Sequence, residues 1–452
     1  MSQQQSLTLS DDQLEAINTA IEQNMPDNIR HMLAGLSAAD IAHLLESSPP
    51  PQRSLIWKLI PLEDEGDVLN ELGEEVRLFF IDQMNIAELL NILEDQDVDD
   101  TVDILQNLPK QITRQVLDSM NLQNRQRLEE VLAYPENTAG GLMNTDTLTL
   151  RGNITVDVAL RYLRLHEDLP EPFDQLLIVD HRDKLLGAVS IRRLLTAAPS
   201  ELLNGLMDET SHAIPVTMDD CQIAQMFERE DLISAPVIDE HGKLLGRITV
   251  DDVVDVIREE AEHSVMSMAG LDEDEDTFAP VLKTSRRRAI WLGINLITAF
   301  VASAVIGLFQ DTIDRVVALA VLMPIVASMG GVAGSQTLTL IIRAMALGQI
   351  GKSNISWLLS RELFVGLLNG LLWAVVVAGA ALFWFDDKVI ALVIGLSLTI
   401  NLVIAVLAGA ALPLTLKALK IDPALAGSVI LTTVTDVVGF FTFLGLATVF
   451  YG

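Results

Sequence analysis

Five apolar stretches, each long enough to cross a bilayer, restrict the fold of this chain more than any other feature. They run over residues 289–309, 316–343, 362–385, 389–416 and 424–450, and about 20 apolar residues suffice to span the hydrocarbon core. Backbone polar groups in lipid must be satisfied within the segment, so such stretches form helices. The sequence therefore predicts a polytopic α-helical membrane domain with five spans over residues 286–452.

Charges in the short connections predict the orientation of these spans. The side that carries the basic residues has Arg286, Arg287, Arg288, Arg343, Lys352, Arg361, Lys417 and Lys420. The opposite side carries Asp311, Asp314, Asp386 and Asp387, with only Arg315 and Lys388 as basic residues among them. Lys and Arg mark cytoplasmic connections. We therefore expect a cytoplasmic N-terminus and a C-terminus that is periplasmic or extracellular.

The region before the spans has a different composition. Residues 1–285 carry a net charge of −35, whereas residues 286–452 carry +3. Such an acidic region would repel a phosphate backbone, so nucleic acid is not an expected partner. Cys221 is the single cysteine, which fits a reducing cytosol. The N-terminus has neither a basic segment nor an apolar one, so we expect no cleaved signal peptide.

Residues 138–260 contain an internal repeat. The segments Leu177–Asp180 and Lys184–Ser190 recur, with an offset of 59, as Pro236–Asp239 and Lys243–Thr249. Each copy predicts a strand, a tight turn, a strand and a helix, with Ser190 or Thr249 at the N-cap. The pattern resembles a tandem CBS pair, an α/β module, here at 134–200 and 201–250. That resemblance implies ligand sensing, with an adenine nucleotide as the candidate, although no residue decides the ligand.

Two further segments surround this pair. Residues 1–133 predict an all-α domain in which short helix pairs stack into a superhelix. Residues 251–285 predict an acidic connecting helix and a linker, with 271–276 as a disordered acidic link. Four acids share one face of that helix, namely Asp251, Asp255, Glu259 and Glu262. Like charges at this spacing repel, so the face is either a solvated surface or a site for a divalent cation or a basic partner.

One acid lies deep in the last span. Asp436 follows Ser428 and Thr432 and precedes Gly439 at helical spacing. An ionisable residue at this depth faces the bundle interior, a water-filled cavity or a partner. The alternative interpretation is a helix-packing seam with a neutralised carboxyl group.

The second span carries a proline and a glycine cluster. Pro324 precedes the sequence Gly330-Gly331-Val332, with Gly334 two residues further on. We expect these residues to loosen or interrupt the helix and to expose carbonyl groups, which suit hard cations. Close helix packing through small residues is the alternative.

The order of these segments resembles the MgtE family of magnesium channels and transporters over nearly the whole chain. The most specific pieces are Val98–Leu105, the CBS pair, Pro324 with the glycines, and Thr432–Gly439. The resemblance implies a homodimer in the lipid bilayer of the bacterial inner membrane, with a pore on its two-fold axis. Mg²⁺ would be both the transported and the regulatory ion, and Asp436 of both subunits would hold it.

The resemblance also implies the participating residues. Candidate pore-lining residues are Pro324, Ser328, Gly330, Gly331, Val332, Ser428 and Thr432. Cytosolic Mg²⁺ would close the pore by binding acids between the helical, CBS and connecting segments, namely Asp99, Asp100, Asp231, Asp252, Asp255 and Glu260. The acidic face of the connecting helix adds Glu259 to these candidates. Val332 replaces an Asn that is common in the family, and His263 and Ser264 replace acids, so ion selectivity and the strength of closure stay open.

Other classes of membrane protein also carry CBS modules. An intramembrane metalloprotease needs a pair of metal-binding histidines in the membrane, and no histidine follows His263, so we do not expect an enzyme. A chloride channel would have its CBS modules after the membrane domain, and an acid in the pore would oppose anions. A membrane sensor without transport, and transport of Co²⁺ or Mn²⁺, remain alternatives because oxygen ligands select weakly among divalent ions.

Overall fold

The computed structural model describes most of the chain, in two compact units. The described residues are 19–20, 25–93, 96–165, 169, 172–208, 212–271, 275–351 and 353–451. The first unit comprises residues 1–260 and 274–279, and the second comprises 261–273 and 280–452. The start of the predicted helical domain, residues 1–18, lies outside the described residues.

Short helices form the N-terminal part of the first unit. They are α1 Pro26–Leu33, α2 Ala38–Glu46, α3 Pro50–Trp57, α4 Glu65–Glu71, α5 Glu74–Ile81, α6 Ile86–Leu93, α7 Val98–Gln106, α8 Lys110–Ser119 and α9 Leu122–Val131. Local chemistry sets their ends. At α2, for example, the Ser37 hydroxyl accepts from the Asp40 N–H while the Asp40 carboxylate accepts from the Ser37 N–H, which is a capping box.

The two CBS copies fold as the repeat predicts. After α10 Ala139–Leu142, the first copy contains β1 Thr149–Arg151, α11 Val156–Leu165, β2 Gln175–Val179, β3 Leu185–Ser190, α12 Ile191–Thr196 and α13 Leu203–Leu206. The second contains β4 Ile214–Pro215, α14 Asp220–Glu230, β5 Ser234–Ile238 and β6 Leu244–Thr249. In each sheet the first strand runs parallel to the second, which forms an antiparallel hairpin with the third.

The hairpin turns of the two copies are closed in the same way. The Asp180 carboxylate accepts from the N–H groups of Arg182 and Lys184. The Asp239 carboxylate accepts from those of His241 and Lys243. The 59-residue repeat is therefore conformational as well as sequential, and the α/β prediction for this segment is confirmed.

The core of the second CBS copy is continuous with that of the preceding helices. Val116 and Val131 from α8 and α9 belong to one apolar cluster with Ile214, Ile223 and Val253. The first CBS copy has a cluster of its own around Ile178 and Val189. Helices α4 to α9 are thus held against the second copy and the helix that follows it.

That following helix is α15, Val250–Met268, which begins directly after β6. Thr249 precedes it as expected, and the Asp252 carboxylate accepts from both the N–H and the hydroxyl of Thr249. Part of the predicted acidic link, residues 272–274, lies outside the described residues. The expectation of disorder is wrong for Asp276, whose side chain is only 8% exposed in an ion pair with Arg53.

The second unit contains five helices that are long and apolar enough to cross a membrane within the described residues. They are α16 Val281–Gly307, α18 Ala318–Ala346, α19 Ile355–Phe385, α20 Lys388–Ala418 and α21 Pro423–Tyr451. A short helix, α17 Gln310–Arg315, joins the first two. The fold class predicted from the sequence is confirmed.

The prediction that Pro324 and the glycines interrupt the second span is wrong. Helix α18 is continuous over 29 residues with Pro324 inside it. The glycines serve close packing instead, since a Cβ at Gly334 would lie 3.2 Å from the Ala405 carbonyl oxygen of α20. Neighbouring helices in a membrane can satisfy the backbone groups that a proline frees.

Candidate functional site

An open cavity of about 810 Å³ lies along α18 and α21 in the second unit. Helix α21 contributes Thr432 and Asp436. Helix α18 contributes the remaining lining residues, namely Ala327, Ser328, Gly331, Val332, Ser335, Gln336 and Thr339. The spacing on each helix follows the helical period, so a single face of each helix builds the cavity wall.

Asp436 is the one acid in this wall, and it lies near the middle of α21, which runs from Pro423 to Tyr451. Among the described residues, no hydrogen bond or ion pair of its carboxylate is found. The carboxylate oxygens are therefore available to a cation in the cavity. Hard divalent cations prefer such oxygen ligands.

The hydroxyl groups in the wall donate to their own helices. Thr432 Oγ1 donates to the Ser428 carbonyl oxygen at 2.9 Å, and Ser335 Oγ donates to the Gly331 carbonyl oxygen at 2.8 Å. A hydroxyl oxygen that donates its proton keeps lone pairs with which it can accept. These oxygens can therefore accept from the water shell of a hydrated cation.

The structure brings together five of the residues predicted to line a pore. Ser328, Gly331, Val332, Thr432 and Asp436 share the cavity. The other three lie outside its lining. Gly330 is buried on the opposite face of α18 beside Asn401, and neither Pro324 nor Ser428 reaches the lining.

Sequence reasoning missed the far part of the wall. Ser335, Gln336 and Thr339 continue the face of Ser328 and Val332 one to two turns further along α18. The helical period starting from Ser328 could have identified them. An interruption of α18 at the glycines, which the sequence predicts, would have ended that face before Ser335.

A second group of acids lies in the first unit. Carboxylate oxygens of Asp97, Asp99 and Asp100 lie within 4.8 Å of one another at the start of α7. Burial raises the pKa of Asp99 to about 6 and that of Asp100 to about 7, and the neighbouring carboxylates reinforce both shifts. Asn144 donates to Asp99 at 3.1 Å. The group, which we call the α7 acid cluster, is thus a desolvated patch of like charge.

The connecting helix adds another acid to this cluster. Burial raises the pKa of Asp252 to about 7, and the repulsion from Asp99 adds to the shift. The pKa of Asp103 is raised to about 7 by burial, with Asp99 and Asp252 contributing. Arg77 is the nearby counter-charge, and its guanidinium group also donates to backbone carbonyls in its own region. Helices α7 and α15 of the first unit therefore bring their acids together, and Arg77 of α5 lies beside them.

The other predicted sensing residues are placed differently. Asp255 lies 3.7 Å from Arg258, and burial together with Asp251 raises its pKa. Glu260 accepts a hydrogen bond from Cys221. Glu259 is exposed, and Asp231 is an exposed left-handed residue that ends α14. Asp99, Asp100 and Asp252 are thus the predicted ligands that the fold brings together.

Three family models match the chain in succession. The MgtE intracellular N domain matches residues 36–137, the CBS domain matches 139–200 and 205–259, and the MgtE divalent cation transporter matches 323–446. The chain belongs to the MgtE family. The family predicted from the segment order is confirmed.

Curated members of the MgtE family resemble the chain over nearly its full length. A magnesium transporter MgtE from Bacillus subtilis is 27% identical over 94% of this chain and 94% of the relative. One from Thermus thermophilus is 29% identical over 96% of this chain and 97% of the relative. The crystal structure of the cytosolic domain of the Mg²⁺ channel MgtE in complex with ATP is 27% identical, with a TM-score of 0.50, over 54% of this chain and 99% of that structure.

The CBS pair of this MgtE family member has a small pocket between its two copies. The pocket measures about 10 Å³ and is lined by residues that include Gln175, Ser234 and Arg247. A space of that size admits about one water molecule. As it stands, this pocket does not fit an adenine nucleotide.

One departure from the family pattern has a structural counterpart. His263 Nε2 on α15 lies 3.4 Å from the Asp422 carboxylate, in the segment between α20 and α21. That carboxylate also accepts from the N–H groups of Ala424 and Leu425 at the start of α21. An imidazole therefore faces the acid that caps the helix carrying Asp436.

Proposed function

We propose that this chain conducts divalent cations, Mg²⁺ first, through the cavity between α18 and α21. The observation that supports this proposal is the Asp436 carboxylate, which lies at membrane depth in the wall of an open cavity that also contains Ser and Thr hydroxyl groups. A carboxylate at the centre of a membrane helix costs about 2.5–3.5 kcal/mol on insertion scales. A passing cation would offset that cost.

Mg²⁺ is bound by one or two carboxylates while it keeps several of its waters. Asp436 would contact the ion or its water shell, and the hydroxyls of Ser328, Ser335 and Thr432 would accept from those waters. Val332, which is 56% exposed, offers an apolar side chain at this level and contributes no oxygen. Discrimination among Mg²⁺, Co²⁺ and Mn²⁺ would then depend on hydration and cavity width.

A second copy of the chain would complete the pathway. Gln336 and Ser335 are exposed, and Asp436 is half-buried, on a face of the membrane helices that lines the cavity. Such a polar face is costly against lipid tails. A homodimer that places two such faces together would enclose the path and supply two Asp436 carboxylates.

The α7 acid cluster would sense cytosolic Mg²⁺. Asp97, Asp99 and Asp100 have the donor chemistry and the spacing to hold a hard cation, and Asp252 couples the cluster to α15. Binding would favour the closed state only through a higher affinity for that state. Without Mg²⁺ the repulsion among these carboxylates would bias the protein towards opening.

The protein would lie in the inner membrane with the CBS pair in the cytosol, where its regulatory ion is. The basic connections support this orientation through the positive-inside rule. ATP in the related cytosolic domain makes an adenine nucleotide the first ligand to test at the CBS pair.

Flux into proteoliposomes tests the pathway. We expect Asp436→Asn to lose most Mg²⁺ uptake while assembling normally, because the amide retains the size of the side chain but not its charge. Asp314→Asn is the matched control, since Asp314 is an exposed acid in α17. Equal uptake by both variants would remove Asp436 from the pathway, and an absence of divalent flux in the unaltered chain would favour a sensor without transport.

A further inference from the structure

A buried carboxamide lies where three membrane helices cross. Asn401 stands near the middle of α20 and has no exposed surface. Its Nδ2 donates to the Val326 carbonyl oxygen of α18 at 2.9 Å. The same nitrogen would lie 2.8 Å from a Cβ at Gly439 of α21. One side chain thus touches both helices that line the cavity.

Neither glycine beside Asn401 can be replaced by a larger residue without a steric clash. A Cβ at Gly330 would lie 2.4 Å from Asn401 Nδ2, far inside normal contact. Gly330 precedes the cavity residue Gly331, and Gly439 lies three residues after Asp436. The distance between α18 and α21 at the level of Asp436 therefore depends on the size and position of the Asn401 side chain.

Packing alone does not explain Asn401, because burial of its carboxamide oxygen costs free energy. Its Oδ1 is buried and accepts no hydrogen bond from any group in the described part of the chain. A buried acceptor without a donor costs about 1–3 kcal/mol. A leucine, with the same number and branching of side-chain heavy atoms, would avoid that cost but would lose the directional bond to Val326. The bond to α18 therefore gives the side chain a role that apolar packing cannot supply.

We propose that Asn401 is a positioning residue for the cation pathway. Its hydrogen bond to Val326 positions α18, and its contact with Gly439 positions α21. Asn401 thereby fixes the width of the cavity beside Asp436. That width decides how well each hydrated divalent cation is accommodated. This inference rests on the proposed function.

Substitution by Leu tests it. Asn401→Leu removes the bond to Val326 and keeps the number and branching of the side-chain heavy atoms, so we expect the preference for Mg²⁺ over Co²⁺ in proteoliposome flux to fall about tenfold, equivalent to about 1.4 kcal/mol. Ser397→Ala is the matched control, because Ser397 is also fully buried, one turn earlier on α20, and donates only within its own helix. It should keep the preference within about twofold.

A distance measurement separates this role from transport itself. Spin labels at positions 335 and 432 of a Cys221→Ser chain, diluted with unlabelled chain, report the separation of α18 and α21. We expect Asn401→Leu to shift or broaden that distance beyond the Ser397→Ala value. If the unaltered chain carries no divalent flux, the pathway proposal fails while the distances still decide the positioning role.

Variants at Gly330 distinguish a change in helix spacing from a failure of Asn401→Leu to fold. Gly330→Ala presses a methyl group on Asn401 and should change the same distance and flux ratio, whereas Gly330→Ala combined with Asn401→Ala gives that methyl room and should restore packing but not the ion preference. An unchanged flux ratio and an unchanged distance in Asn401→Leu, whatever its melting temperature, would overturn the proposal.

Discussion

The guanidinium group of Arg53 forms a two-point ion pair with the carboxylate of Asp276. Nη1 lies 2.5 Å from Oδ2 and Nη2 lies 2.8 Å from Oδ1, with the two side chains 1% and 8% exposed. Arg53 also donates to the carbonyl oxygens of Leu45 and Glu46. Asp276 stands five residues before α16 begins. The helical part is thereby fastened to the segment that leads into the membrane.

Breaking this pair should destabilise the first unit. Removal of one partner of a buried, hydrogen-bonded pair leaves an unpaired charge and costs about 3–5 kcal/mol. We expect Asp276→Ala to lower the melting temperature of the detergent-purified chain by several degrees. Arg30 lies 3.9 Å from Asp27 with both side chains exposed, so Asp27→Ala should have almost no effect. Equal melting temperatures for the two variants would show that the pair is not a structural fastening.

The ion pair between Arg53 and Asp276 could not be predicted from the sequence. Its partners lie 223 residues apart, and nothing local in the acidic segment around Asp276 indicates a partner. The five spans could be predicted because apolar length is a local property of the chain. The continuity of α18 through Pro324 could not, since it depends on packing against α20.

The same distinction applies to the candidate sites. Asp436 could be identified because a carboxylate at membrane depth is exceptional in itself. The family resemblance alone indicates Asp99 and Asp100, and it does not indicate Asp103, which lies four residues after Asp99 on the same face of α7. The contact of Asp252 with that face depends on how α15 folds back onto α7. The family resemblance supplied Asp252, whereas periodicity alone did not.

The metal-free stability of the first unit should fall as pH rises from about 5 to 8. In the folded state burial raises the pKa of Asp99 to about 6 and those of Asp100 and Asp252 to about 7, well above the ordinary value for an aspartate. A raised pKa means that the folded state binds protons more tightly, so stability is lost as pH rises through the folded pKa. Thermal melting at pH 5.5 and pH 8 with a chelator measures this change.

Mg²⁺ should reverse that loss. At pH 8 the cluster is ionised and binds the cation, and binding to the folded state raises the melting temperature. At pH 5.5 protons compete, so the effect should shrink. Asp100→Asn should melt higher than the unaltered chain at pH 8 without Mg²⁺ and gain less from its addition. Asp27→Asn should behave like the unaltered chain, and an equal Mg²⁺ response in both variants would place the site elsewhere.

Inhibition of flux by cytosolic Mg²⁺ should depend on Asp99 and Asp252, which lie close together, more than on the exposed acids Asp231 and Glu259. We expect Asp99→Asn combined with Asp252→Asn to raise the Mg²⁺ concentration for half-inhibition about tenfold or more, because two charge-bearing ligands are lost. Asp231→Asn combined with Glu259→Gln neutralises two exposed acids as a control. Patch recordings or liposome flux across a Mg²⁺ series measure both, and a larger shift in the second pair would contradict this assignment.

The Nε2 atom of His263 lies 3.4 Å from the Asp422 carboxylate. His263→Glu would place two carboxylates together at the start of α21, an arrangement of like charges that a divalent cation relieves. We expect this variant to close at lower cytosolic Mg²⁺ than the unaltered chain, by several-fold. His263→Gln offers an amide of similar reach without charge and should not show this gain. The half-inhibitory Mg²⁺ concentration in the same flux assay decides between them. If His263→Glu and His263→Gln close at the same Mg²⁺ concentration, the contact with Asp422 holds α15 without taking part in ion sensing.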